Sequence, residues 1–425
     1  MHKENLFDDN LIESKSIILK TDKWVCETPE GDNNPETGGN YFIRYFTVLT
    51  NNGQLMRNTP VQIYSSIRND IEEKIVITTD PDNEAQNPEI IKPVDKFVNV
   101  TSDPNGRLSF RVYPIKGITV VFQLGSKLPD SERYYPAPTV YIINPKYEAT
   151  DDSLSPPVIS GLNGDELRAH GSSKMFYVNI PPYDTISNTN TVIFFTHKND
   201  LISPAIKISN AAEPDYTFKL YFDSFPLNEA SELYYTIIPE SGNNKYSPIL
   251  GLTYTGGGDN QPSDEFSRPL DPPVIYSSLA RPPLDASDDE YIIQEYDIVN
   301  LDTIDDYRNN GGIDLFIKIV GTSDLNSETK PKFGDKVFLV MYVNSSSKII
   351  NKSMPVTIKT VVGENTSTNI IPIPHEMLVD IASYSDTGYP GVIYFEYYID
   401  SEGIRTYSKD WQSQISTVSP GGGDN

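Results

Sequence analysis

Short runs in which apolar and polar residues alternate recur along the whole chain, with turn residues between them. Arg107-Leu108-Ser109-Phe110-Arg111-Val112-Tyr113 is the clearest: its apolar and polar positions follow the two-residue period of a strand with one buried face. Strand-like runs, some of them continuously apolar, occupy 41–49, 61–64, 75–78, 119–124 and 139–143, then 175–180, 192–196, 217–222 and 233–238, then 314–319, 336–343, 356–359 and 392–398. Short strands at this spacing, separated by Gly, Pro, Asn and Asp, predict an all-β chain of sandwich domains. The 33 prolines and 26 glycines argue against long helices.

The pattern also repeats. Gly-Gly-Gly-Asp-Asn occurs at 256–260 and again at 421–425, each time after a run of strands and a Tyr-Ser pair, Tyr246-Ser247 and Tyr407-Ser408. Each run opens with the same tetrapeptide, Pro156-Pro157-Val158-Ile159 and Pro272-Pro273-Val274-Ile275. A repeated start and a repeated stop mark a repeated domain. The expected organisation is a weakly ordered lead-in over 1–20, then domains over 21–154, 155–260 and 261–425. The last carries an acidic, Tyr-containing insertion at 286–310. Residues 256–273, rich in Gly, Asp, Ser and Pro, read as a linker with a loose joint near 256–262.

Composition narrows the partners. The net charge is −25, from 34 basic and 59 acidic residues. Such a chain repels phosphate backbones and anionic membrane surfaces, so nucleic acid is excluded as an expected partner. No run of 18 apolar residues is present, so no membrane insertion is expected. The N-terminal residues lack the apolar core of a signal peptide. The single cysteine, Cys26, sits in the apolar stretch Lys23-Trp24-Val25-Cys26 and reads as a small buried hydrophobe.

The third repeat resembles the Ig-like repeats of large bacterial surface and adhesin-type proteins. The resemblance lies in Pro272-Pro273-Val274-Ile275, in Gly334-Asp335-Lys336-Val337 entering a strand, and in Ile371-Pro372-Ile373-Pro374 before a helical turn at 375–381; it continues through 394–399 and Tyr407-Ser408. The second repeat shows the same frame. The first is similar to invasin-type Ig-like modules through Asn52-Gly53 ahead of Thr59-Pro60-Val61-Gln62-Ile63, and through 101–108, which resembles the family's T-D-x-N-G turn. Its Ser102-Asp103-Pro104 departs from that pattern. The resemblance implies a string of three Ig-like β-sandwich domains joined by Gly/Pro/Asp-rich linkers. It also implies a non-enzymatic structural or adhesive protein at a bacterial surface or outside the cell, meeting a protein or glycan on a host or neighbouring cell. A soluble accessory, targeting or fibre module of a toxin or injection system is the first alternative, and a non-catalytic glycan-binding protein the second. A cytoplasmic location stays open, as does the oligomeric state.

Motifs for chemistry are sparse. The histidines His2, His170, His197 and His375 show no zinc-ligand spacing. Neither a Gly-x-Ser-x-Gly elbow nor a phosphate loop occurs. Catalytic residues, resident metal and cofactor are all expected to be absent. Calcium is the one ion the acidic runs at 80–84, 285–290 and 302–306 could hold, although no EF-hand loop is present. Sheet faces bury their apolar residues in the sandwich, which leaves loops to carry binding. The insertion 286–310 is the longest such segment, and its Tyr291, Tyr296 and Tyr307 are the candidate binding residues. The competing reading makes the same segment a cover over the sandwich.

Overall fold

The computed structural model describes residues 16–418 apart from 52–53, 67–72, 82–86, 95, 130, 145–153, 184–186, 197–199, 209–215, 241, 325, 362–363 and 402–403. It is nearly all β, and its sheets form three Ig-like sandwiches in succession along the chain. By packing, the chain divides into two units, Met1–Glu166 with Tyr177–Tyr254 and Leu167–Phe176 with Thr255–Asn425.

In the first unit, alternation drives the first sandwich. Ile43–Val48 turns Ile43 and Tyr45 inward and pairs antiparallel with Arg107–Pro114, which contributes Leu108, Phe110 and Val112. That sheet runs Lys20–Thr21, Ile43–Val48, Arg107–Pro114, Ile75–Thr79. The facing sheet runs Val25–Glu27, Tyr135–Ile143, Val120–Lys127, Pro60–Ser65, Phe97–Thr101. From Lys20–Thr21 in one sheet the chain crosses to Val25–Glu27 in the other, where Cys26 lies beside Ile142 in a parallel pairing. Cys26 is buried, as its apolar setting predicts. Ile17 and Leu19, which the pattern assigns to a lead-in, are fully buried in this core.

The second sandwich shows what an uninterrupted apolar run means. Thr191–Thr196 is buried at all six positions. Phe194 meets Phe218 and Tyr235. Its neighbours Ile193 and Phe195 instead join Tyr234, Ile238 and Tyr246 in a cluster with Trp24, Tyr141 and Ile143 of the first sandwich. A strand covered on both faces has no polar side to alternate with. The Asn144 N–H donates to Asn244 Oδ1 at 3.1 Å, and the Tyr246 hydroxyl donates to the Asn144 carbonyl. Hydrogen bonds thus join the two sandwiches beside their shared apolar cluster.

In the second unit, the third sandwich packs one sheet (Ile292–Ile293, Val274–Tyr276, Ile313–Thr322, Thr366–Pro374) on another (Ile298–Asn300, Trp411–Ser416, Gly391–Ser401, Lys336–Asn344, Ile349–Thr357). The core holds Ile275, Leu315, Ile317, Leu339, Met341, Ile373, Phe395 and Trp411. The second sandwich has the matching strand order. Val158–Ile159, Met175–Ile180 and Tyr216–Tyr221 form one sheet, while Leu250–Gly257, Ala230–Ile238, Thr191–Thr196 and Asp200–Leu201 follow one another in the other. The Tyr-Ser pair does the same work twice. Ser247 Oγ accepts the Tyr235 N–H at 3.0 Å, and Ser408 Oγ accepts the Tyr397 N–H at 2.9 Å.

One segment differs from expectation. Residues 256–260 are not a loose joint. Leu250–Gly257 is strand through its last glycines, and a Cβ at Gly257 would lie 2.4 Å from the Ala169 carbonyl oxygen. Glycine is needed there for close approach and positive φ rather than for slack. Asn260 donates from Nδ2 to the carbonyls of Val343 and Ile350, each at 2.9 Å, and its carbonyl accepts from Asn344 at 2.7 Å. Further on, Phe266 stacks on Tyr407 at 4.3 Å, and Arg268 reaches the buried Glu396 at 2.7 Å. Residues 286–310 are built into the sandwich. Val299 and Ile304 are core residues, and Ile298–Asn300 pairs parallel with Trp411–Ser416.

Candidate functional site

The three candidate tyrosines have three different settings. Tyr291 ends the 3-10 helix Ala286–Tyr291 and packs, partly buried, on a cluster of Tyr276, Ala280, Leu284 and Phe316. Tyr296 is 74% exposed in the left-handed region, with its N–H donating to the Gln412 carbonyl at 2.9 Å. Tyr307 belongs to the 3-10 helix Asp305–Asn310 and lies flat on the His375 ring, 3.6 Å between centroids.

Beneath that stack lies the most perturbed carboxyl of the described residues. Asp314 is fully buried; its Oδ1 is 2.8 Å from His375 Nδ1, and its Oδ2 has no hydrogen-bond partner. Burial raises its pKa to about 6, against the opposing pull of His375. The His375 N–H donates to the Gly312 carbonyl, and the Gly312 N–H donates to that of Tyr307. Asp314, His375 and Tyr307 therefore fasten the 305–312 segment to the sandwich. His375 gave no signal in the sequence because its partners lie 61 and 68 positions away.

Several carboxylates of the acidic runs are engaged by their own chain. Asp80 faces three arginines, while 82–84 lie outside the described residues. Asp285 and Asp288 form a capping box, and Asp288 also accepts the Arg281 N–H. Asp306 pairs with Arg281. No group of three or more His, Cys, Asp or Glu among the described residues could hold a metal ion.

Loops at one end of the third sandwich are braced against one another. The hairpin turn after Lys336–Asn344 presses Ser346 Oγ onto the Ser383 carbonyl at 2.7 Å. Ser347 Oγ donates to the Asp380 carbonyl at 2.9 Å and accepts the Ala382 N–H at 2.8 Å. Lys348 Nζ donates to the Val379 carbonyl at 2.5 Å. Thr417 closes the set, with Oγ1 accepting the Ile381 N–H at 2.9 Å.

No protein-family model matches the chain, and no curated protein matches it. Solved structures do. The D0-D1 domain of intimin is 12% identical, over 55% of this chain and 97% of that one, with a TM-score of 0.23. The Escherichia coli adhesin FdeC is 9% identical over 95% and 98%, with a TM-score of 0.18. The FN1-FN3 domains of chicken CNTN1 are 8% identical over 85% and 96%, with a TM-score of 0.17. Bacterial adhesins and a vertebrate domain array stand at similar distances, so these likenesses carry no functional argument. No helix among the described residues is long and apolar enough to cross a membrane.

Proposed function

We propose that the chain is a non-enzymatic structural and adhesive protein of bacterial type, working at the cell surface or outside the cell. Its sandwiches act as a scaffold, and its loops meet a protein or glycan on another cell. The observation that supports this most is the braced loop end of the third sandwich. Hydrogen bonds hold loops from three parts of the chain in one arrangement, and ordering a surface before contact lowers the entropic penalty of binding. Tyr296, exposed within 286–310, remains a second contact candidate, whereas Tyr291 and Tyr307 serve the cover.

Beads coated with the whole chain and washed over cultured epithelial cells test the reading. Retention above albumin-coated beads, without turnover of a glycan panel, is the expected result. Retention no better than albumin, or hydrolysis of any glycan, contradicts it.

A further inference from the structure

The serine of each Tyr-Ser pair braces its own sandwich, and that leaves the tyrosine to explain. Tyr246 and Tyr407 are both buried, at 7% and 4% exposure. Each sits in a cluster with chain that precedes the first strand of its sandwich. Ahead of the third sandwich, Phe266 stacks on Tyr407 within 5° of parallel. Arg268 lies over the same ring and donates to the Ser408 carbonyl at 2.7 Å. Ahead of the second sandwich, the occupant is the first sandwich itself. Its Trp24, Tyr141 and Ile143 pack with Phe195, Tyr234 and Tyr246. Trp24 meets Tyr141 edge to face at 5.8 Å, and Tyr234 meets Tyr246 in the same manner at 6.0 Å.

Polar groups close the rim of that second cluster. The Tyr246 hydroxyl and Asn244 both reach Asn144, and Thr119 Oγ1 donates to Asn243 Oδ1 at 3.2 Å. Gly242 has a φ of +86°, and a Cβ there would lie 2.9 Å from the Val120 Cα. Backbone therefore sits directly against backbone, which only glycine allows.

We infer that the tyrosine of each Tyr-Ser pair is a coupling residue, and that through Tyr246 the first and second sandwiches open as one cooperative body. The partner this surface fits is the stretch of the same chain that precedes it. Neighbouring domains move independently unless the surface between them is apolar and well packed. Polar contacts alone would be exchanged for water at little loss. Here Trp24, Tyr141, Phe195 and Tyr234 would all gain contact with water if either sandwich opened alone, so neither opens without the other. The inference goes beyond the adhesive reading and stands or falls without it.

Amide exchange on the full chain, read strand by strand, tests the coupling. Phe218 packs on Phe194 at 5.3 Å within the second sandwich, apart from the shared cluster. Phe218→Ala should speed the slowest amides of Ala230–Ile238 by about a hundredfold or more. It should speed those of Val120–Lys127, in the first sandwich, by the same factor. Should Phe218→Ala leave the second sandwich unfolded, loss of protection in the first supports the coupling and native protection there overturns it. Asn244→Ala is the milder variant, because it removes only side-chain bonds at the rim. It should speed both sets of amides by about fivefold. Val120–Lys127 exchanging at its native rate in either variant means that the sandwiches open separately. Tyr246→Ala should split the two sandwiches into separate exchange classes; a single shared class in that variant removes the coupling role from the tyrosine.

Discussion

The sheet built on Ile43–Val48 in the first sandwich and the one built on Ile313–Thr322 in the third hold equivalent places, and their outer faces differ. In the first, Arg44 and Arg111 are direct cross-strand partners and Arg107 lies four residues along the same face. Like charges set opposite one another repel. Asp80, almost wholly buried, relieves this with contacts of 2.7 Å to Arg111, 3.1 Å to Arg44 and 3.6 Å to Arg107. In the third, the outer face carries Tyr276 opposite Phe316 on the adjoining strand pair, and side chains from 280–292 pack with them. One face is held by a largely buried charge cluster, and the other is closed by an apolar cover. Related strand frames therefore do not dictate identical surfaces, and 280–292 answers to what its sheet exposes.

The comparison breaks most easily at the cover. Phe316→Ala removes a ring 5% exposed and should destabilise the third sandwich by about 3–5 kcal/mol. Amide exchange read separately in each sandwich will show it, with the first sandwich unchanged; a loss under about 1 kcal/mol would mean the cover is ornamental. On the charged face, Asp80→Asn leaves three guanidiniums facing one another. A loss of roughly 2–3 kcal/mol is expected, smaller than at the cover because Arg44 and Arg107 stay partly solvated. It should shrink as salt is added, and salt-independent loss would argue for packing instead.

Asp314 sharpens the contrast through pH. Burial raises its folded pKa to about 6 from the ordinary carboxylate value of 3.8. The folded state therefore favours the protonated form. That contribution is fully present below about pH 4 and is lost as pH rises through 6. Asp314→Asn should remove this slope and stabilise the third sandwich at pH 7 by on the order of 2 kcal/mol relative to the native chain. Denaturant titrations at pH 4 and 7 that show the same difference between the two proteins would refute it. The smallest effect belongs to the loops. Ser347→Ala deletes two bonds at the hairpin and should cost about 1 kcal/mol locally.

Strand alternation and the repeated Pro-Pro-Val-Ile and Tyr-Ser elements were legible in the chain, because both act over short sequence distance. The serine of each Tyr-Ser pair indeed bonds a backbone N–H on the neighbouring strand. Gly256-Gly257-Gly258 misled because three glycines serve close approach and flexible joints alike, and only packing against Ala169 and Gly171 decides between them. Arg107 and Arg111 could be assigned one face from their spacing, but Asp80 joins them through strand register that sequence does not display. The serine run at 345–347 and the Thr387-Gly388-Tyr389-Pro390 segment carry turn residues but drew no expectation from the sequence. Their meeting depends on the antiparallel pairing of Lys336–Asn344 with Gly391–Ser401.

Hydrogen exchange on the intact chain at neutral pH tests the central claim, that the loop end of the third sandwich is organised before any partner arrives. The amides of Ser345, Lys348, Ile381, Ala382 and Thr417 each donate within this end. They should exchange far more slowly than open loops, approaching the strand amides of Lys336–Asn344. Exchange at the rate of an unstructured peptide would show that these loops are not braced, and the account of a preformed contact surface would fall with them.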